Sequence, residues 1–448
     1  MVADMVRDID RRDMLKSVGG AGVIGLAGCI TQNGGNGDGN GDGNGGGDTP
    51  EPGDTGTDTP DDSGGESRTI NHGVLMPVTG DLASLGGTIR DGAILPAAVL
   101  DGEDLPVTVN IQEEDTQTDP QAGVQAANSF ASSGVPSVTG AASSAVSLQV
   151  YQQTFIPNGI VGCSPASTNP SISNLEDDNL IYRTCPSDAL QGPVMAQAAA
   201  EKLGSSTASV MYVNNDYGQA LNGAFVDAFS GEQGGTVQSE VAFEKEQSSY
   251  SSPLSNAMGG DPDLLVVIGY PASGIQIFRD FYAEYSADTD IMVTDGLRDG
   301  TLPDEVGNDM ANVYGTSPLA QGPGTDAFNQ QYQDEYGRAP GVFNAQAYDA
   351  TAVCLLANAA AGENSGDAIK EQMRNVANPN DGTEITPANL AEGVRMAANG
   401  EAVYYQGASS NVDFDENGDM QAVTYEYFQF NTSVEGNLEQ LDAIDFEA

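Results

Sequence analysis

The chain has 448 residues, enough for two or three domains that each bury a core, so a single small module is excluded. Against 65 Asp and Glu stand only 15 Lys and Arg, a formal charge of −50 spread along the whole chain. Such self-repulsion is tolerable in concentrated salt, where the Debye length falls to about 3 Å near 1 M, and the composition reads as that of an extreme halophile with no nucleic-acid partner.

The N-terminus reads as an address. Asp10-Arg11-Arg12-Asp13-Met14-Leu15-Lys16 resembles the twin-arginine export signal, and the Gly/Ala-rich stretch from Ser17 to Gly28 is too short to span a hydrocarbon core of about 30 Å. Leu26-Ala27-Gly28-Cys29 resembles a lipobox, in which the cysteine is acylated and becomes the new N-terminus. Residues 1–28 are therefore expected to be a twin-arginine lipoprotein signal, with the product anchored to the outer face of the cell membrane through lipidated Cys29. Residues 29–68 carry almost no apolar side chain and are expected to form a disordered, acidic, Gly-rich tether.

From Thr69 short apolar runs alternate with longer amphipathic ones, the pattern of α/β units around parallel sheets. The runs predict strands over 70–76, 107–112, 137–140, 159–163, 208–212, 236–241, 264–269 and 291–294. Helices are predicted over 122–132, 190–203, 218–229, 275–285 and 326–336. This spacing implies two successive doubly wound sheets, which bind ligands in the loops at the carboxyl ends of their strands. Those loops hold Ser144, Thr168, Tyr217, Tyr270 and Asp295 beside several glycines. Hydroxyls and helix N-terminal N–H groups suit a carboxylate, an Asp suits an ammonium, and tyrosines suit a wall, which together describe an amino-acid-like small molecule. Ser144 and Thr168 equally fit helix caps, and Asp295-Gly296 equally fits a plain turn.

Other chemistry has less to build on. The one histidine, His72, alternates with apolar neighbours on the first strand and is expected near the surface, and neither a G-x-S-x-G nor an H-E-x-x-H pattern accompanies it, so no enzyme is expected, a secreted hydrolase being the minor alternative. Asp413-Phe414-Asp415-Glu416-Asn417-Gly418 opens like a calcium loop, but its twelfth position is Thr424 and its Asn-Gly reads as a hairpin against the run 423–428. No metal and no cofactor are expected. Cys163 and Cys185 flank a loop and form a possible disulfide in an oxidising exterior, while Cys354 lies in an apolar helical run.

Several longer stretches resemble one family. These are Gly73-Val-Leu-Met-Pro-Val-Thr-Gly-Asp-Leu-Ala-Ser-Leu-Gly86, Ser164-Pro-Ala-Ser-Thr-Asn-Pro170, Tyr182-Arg-Thr-Cys-Pro-Ser-Asp-Ala-Leu-Gln-Gly192, Asn214-Asn-Asp-Tyr-Gly218, Ala345-Gln-Ala-Tyr-Asp349 and Phe414-Asp-Glu-Asn-Gly-Asp419. They resemble the substrate-binding proteins of ABC transporters for branched-chain amino acids, the Leu/Ile/Val-binding group of type I periplasmic binding proteins, here as a haloarchaeal-type lipoprotein. The resemblance implies two Rossmann-like lobes joined by three hinge crossings, lobe 1 from 69–187 plus 317–405 and lobe 2 from 188–316 plus 406–448. It implies that Ser144 and Thr168 take the ligand carboxylate, that the Ala166 backbone bonds polar ligand groups, that Tyr217 and Tyr270 close from lobe 2, and that Asp295 takes the ammonium. Leu85 stands where close relatives have tryptophan, and Thr116 and Ser143 stand where the best-known members have a disulfide. Capture without chemistry by a monomer, with delivery to a membrane permease, is what the resemblance implies; amides, urea or other small carboxylates are the alternative ligands on the same fold.

Overall fold

The computed structural model describes Arg68 to Glu447. Arg11-Arg12, the lipobox with Cys29 and the tether lie outside the described residues. Among the described residues no helix is long and apolar enough to cross a membrane.

Five parallel strands, β1 (Arg68–Met76), β2 (Val107–Asp115), β3 (Ser137–Gly140), β4 (Val161–Ser164) and β5 (Ile181–Arg183), form a first sheet in the order β2-β1-β3-β4-β5. A second sheet is built on β6 (Thr207–Val213), β7 (Thr236–Phe243), β8 (Leu264–Ile268), β9 (Asp290–Val293) and β10 (Val313–Pro318), again parallel. β11 (Thr383–Ile385) and β12 (Val403–Tyr405) form a separate two-stranded sheet, and β13 (Ala422–Phe430) and β14 (Leu438–Glu447) extend the second sheet antiparallel to the order β14-β13-β10-β9-β8-β6-β7. Strand position follows composition. Leu-Leu-Val-Val-Ile of β8 is buried throughout because helices cover both faces of a parallel sheet, whereas the exposed Thr236, Gln238 and Glu240 of the edge strand β7 alternate with half-buried Val237, Ser239 and Val241.

The first body packs around Ile70, Phe130, Tyr151, Phe155 and the helix Asn344–Ala361, whose side chains are buried on every side up to Ala359. Cys354 sits in that helix, as its apolar run requires. The second body packs around Val210, Val266, Phe278 and Phe428, and this cluster also takes in Val74, Met76, Leu85 and Phe343 from the first. The facing surfaces of the two bodies therefore touch, and the cleft between them is shut.

Four expectations are corrected. Ala408, Val412, Phe414 and Met420 pack in the first core, so the third crossing falls after Met420 and not at 405/406. The cause is Asp349, whose buried carboxylate accepts from Ala408 N at 2.8 Å, Ser409 N at 2.7 Å and the Ser409 hydroxyl at 2.5 Å, tying that segment to the first body. The Asn417-Gly418 turn closes only the Phe414–Met420 bridge, and β13 pairs with β10 and β14 instead of folding back on 412–414. His72 is fully buried, since β1 is a central strand; Ser137 Oγ and Thr139 Oγ1 lie 2.9 Å from its two ring nitrogens, and burial lowers its pKa to about 3. Finally, the thiols of Cys163 and Cys185 are free and buried. Cys163 is in register with Tyr182 on the neighbouring strand, three residues before Cys185, an offset of about 10 Å along the chain that no disulfide spans.

Candidate ligand cleft

The cleft lies where the carboxyl ends of both sheets meet. Leu82, Leu85, Ile89, Ala142, Ser144, Ala166 and Phe343 of the first body face Tyr217, Tyr270, Asp295 and Gly296 of the second. Six of the seven residues expected from the sequence thus line one cavity, and Thr168 lies just behind it. The shut arrangement leaves ≈ 20 Å³, room for about one water, so an amino acid enters only if the bodies part.

Each side chain is placed by a strand end. Ser144 opens the helix Ser144–Val150 after β3, and its hydroxyl accepts from Asn169 N at 3.3 Å, in place of capping its own helix. Ala166 and Thr168 follow β4 on a loop whose Ser164 and Ser167 hydroxyls turn back onto the carbonyl of Ala141 at 2.6 and 3.0 Å. Arg183, fully buried, draws the carbonyls of Ser167 and Asn169 on either side of Thr168 at 3.4 and 3.0 Å, and its charge is met by Asp419 at 2.6 Å. That pairing explains the carboxylate-rich loop at 413–419: Asp419 answers Arg183, and Asp415 accepts from Asn417 N and Asp419 N.

On the second body, Tyr217 and Tyr270 stack with ring centres 5.5 Å apart and planes 13° from parallel. The Tyr217 hydroxyl lies 2.7 Å from Thr294 Oγ1 and 3.3 Å from Asp295 Oδ1. Gly296 must lack a side chain, because a Cβ there would sit 2.4 Å from the carbonyl of Gly269. Burial raises the Asp295 carboxyl to about 6 against the opposing hydrogen bonds of Gln191, its own backbone, Tyr217 and Gly296.

The structure adds residues that the sequence reading missed. Asp188, first residue of the helix Asp188–Gln197, is fully buried, and neither carboxylate oxygen has a hydrogen-bond partner. Burial pushes its pKa well up and the charge of Asp295 adds to this, while the nearby Thr168 hydroxyl and Arg183 oppose it. Around the same helix turn, Thr168 Oγ1, Gln191 Oε1 and Thr316 Oγ1 are also buried without partners. Buried polar atoms are nearly always paired; the two threonine hydroxyls donate as well as accept and Thr168 stands beside Asp188, so the Asp188 carboxyl and Gln191 Oε1 are the acceptors left to satisfy. Asp188 is legible in the sequence only as an ordinary acidic first-turn residue, which is why it was overlooked.

The periplasmic binding protein family model matches residues 69–400, which hold the parallel strands β1 to β10 and every residue lining the cavity. The chain belongs to the periplasmic binding protein family. Among periplasmic binding proteins it is 25% identical over 361 residues to the chemotactic signal transduction system substrate-binding protein BasB of Halobacterium salinarum, which spans 77% of this chain and 83% of that one. The solved leucine-binding protein LivK of Thermotoga maritima is 26% identical with a TM-score of 0.70, covering 84% of this chain and 98% of its own. The LivJ protein of Streptococcus pneumoniae, solved with isoleucine, shares the fold at 19% identity and a TM-score of 0.69, over 85% and 100% of the two chains.

Proposed function

We propose that this periplasmic binding protein captures an amino acid with an aliphatic side chain in the interlobe cleft and delivers it to the membrane permease of an ABC importer, without chemistry of its own. The observation that carries the reading is the buried Asp295 carboxylate lining the cavity, with the buried Asp188 carboxyl close enough to feel its charge. An ammonium supplies three N–H donors and one positive charge to that pair. Ser144 and the backbone N–H of Ala166 serve the ligand carboxylate from the first body, and Leu82, Leu85, Ile89 and Phe343 bound an apolar compartment for the side chain. The leucine-binding and isoleucine-bound relatives support the same ligand class. A benzoate or another ligand without an ammonium brings no cation to Asp188 and Asp295, and an amide brings donors but no charge.

Export through the twin-arginine route, anchoring by lipidated Cys29 and a working environment of high salt complete the proposal; Arg11-Arg12, the lipobox and the charge of −50 support them. The chemotaxis system named for the Halobacterium relative favours a second reading, in which the loaded protein also engages a signalling receptor. The test is isothermal titration of the purified chain in multimolar KCl with leucine, isoleucine and valine, then with acetamide, urea and benzoate. Heat from the amino acids alone supports the assignment, and heat from an amide or benzoate alone replaces it.

A further inference from the structure

The helix Pro271–Glu284 of the second body begins without a cap of its own. Its flanking residue Tyr270 offers no side-chain bond, Pro271 has no N–H, and Ala272 N and Ser273 N remain as the next donors to satisfy. Both turn to Asp81 on the first body. Ser273 N donates to Asp81 Oδ1 at 2.8 Å, Ala272 N donates to the Asp81 carbonyl at 3.2 Å, and the Ser273 hydroxyl lies 2.9 Å from each carboxylate oxygen. A carboxylate is the group that a helix N-terminus binds best, through its free N–H groups and its dipole.

Asp81 has no comparable role at home. Among the described residues its side chain bonds only to Ser273, although it stands two positions before the helix Ala83–Leu100, which lacks a side-chain cap itself. The preceding Gly80 sets the aim: its φ is +85°, and a Cβ there would sit 2.2 Å from the carbonyl of Gln117. A second tie crosses beside it, from Lys245 Nζ of the second body to the carbonyl of Thr118 at 2.6 Å. Lys245 and Glu246 are the charged groups that face Asp81, which is 2% exposed and does not line the ligand cavity.

We propose that Asp81 is an interlobe latch: it caps the helix Pro271–Glu284 only when the bodies are together, and so governs how long any captured ligand is held. Parting the bodies breaks every bond between Asp81 and that helix and returns both to water. Because the latch grips the helix frame and not the cavity wall, it acts on closure itself, and the inference rests on the two-body fold and not on the identity of the ligand.

The test compares the full-length protein with Asp81→Ala and Ser273→Ala by small-angle X-ray scattering in multimolar KCl, without ligand and with saturating leucine, and by stopped-flow leucine release. The expected result is a compact parent protein, a larger radius of gyration for both variants without ligand, and leucine release faster by on the order of tenfold with association little changed, the worth of hydrogen bonds to a charged acceptor. Scattering curves of the variants that match the parent protein overturn the latch, as does a parent protein that is open in both conditions. Variants that open while leucine leaves every curve unchanged uphold the latch and overturn the amino-acid reading. If Asp81→Ala does not fold, Ser273→Ala, which removes a single hydroxyl, decides the question with the same readouts.

Discussion

The hydroxyl of Tyr217 stands 3.3 Å from one carboxylate oxygen of Asp295 and 3.4 Å from the other, so the aromatic wall of the cleft and its charge are one unit. Tyr217 is in turn stacked on Tyr270, whose hydroxyl lies 3.1 Å from Ser143 Oγ on the opposite body. Closing the cleft therefore seats the carboxylate, both rings and the first-body hydroxyls together, and a zwitterion caught there exchanges water for a surround already in place.

Replacing Asp295 by Ala removes the cavity-lining carboxylate that the proposed function assigns to the ligand ammonium. Affinity for the bound amino acid is expected to fall by about 1–3 kcal/mol, the cost of stranding a charged ligand group, as read by isothermal titration. Unchanged affinity would remove Asp295 from the ammonium site.

Asp188→Asn separates binding from folding. Without ligand, Asp188 is a buried carboxyl whose charged form is penalised by burial first and by Asp295 next, so the isosteric neutral amide is expected to raise the melting temperature of the empty protein. The same change is expected to weaken amino-acid binding. A purely structural Asp188 would lower stability without this opposite effect on affinity, and paired melting and titration curves distinguish the two.

The empty protein is expected to melt higher at pH 5 than at pH 7. Burial raises Asp81, Asp295 and Asp349 from 3.8 to about 6, so each contributes stability that is full below its unfolded pKa and is lost as pH rises through about 6. His72 acts the other way: it is lowered from 6.5 to about 3, so stability is lost as the unfolded histidine gains its proton below 6.5. Between pH 7 and 5 the three acids gain about 4 kcal/mol together and the histidine costs about 2, which leaves a net gain. Calorimetry at constant KCl checks the sign, and a lower melting temperature at pH 5 would contradict it.

Leu85→Ala should enlarge the apolar compartment, because Leu85 lines it with Leu82, Ile89 and Phe343. The expected outcome is a shift of preference from valine toward leucine and phenylalanine by roughly 1–3 kcal/mol, the worth of a methylene or so in a fitted pocket, read from competition titrations. An unaltered order of preference would move the side-chain compartment elsewhere.

Strand positions were legible from residue pattern because parallel strands are short, apolar and bracketed by turn residues; β8 was expected over 264–269 and is found over Leu264–Ile268. The helix Asp188–Gln197 shows the limit at helix ends. Its amphipathic part is visible from Leu190, but the fully buried Asp188 lies in the first turn, where an acid is unremarkable. Ser144, Ala166, Tyr217, Tyr270 and Asp295 meet in one cavity because strand-end loops in doubly wound sheets converge whatever their sequence, and Leu85 joins them from the helix Ala83–Leu100. Contacts between distant segments were not legible. The carboxylate of Asp349 binds Ala408 and Ser409 and moves the third crossing, and Asp81 reaches 192 positions along the chain to Ser273, distances that no local pattern encodes.

The most direct test of the central claim is the melting temperature of the full-length protein in multimolar KCl with leucine, isoleucine or valine against acetamide, urea and benzoate, since a ligand that binds only the folded state raises it by mass action. Stabilisation by the amino acids, lost in Asp295→Ala and reduced in Asp188→Asn, is the predicted result. Equal stabilisation of the protein and both variants, or stabilisation by benzoate or an amide alone, would contradict an ammonium held between the two carboxylates.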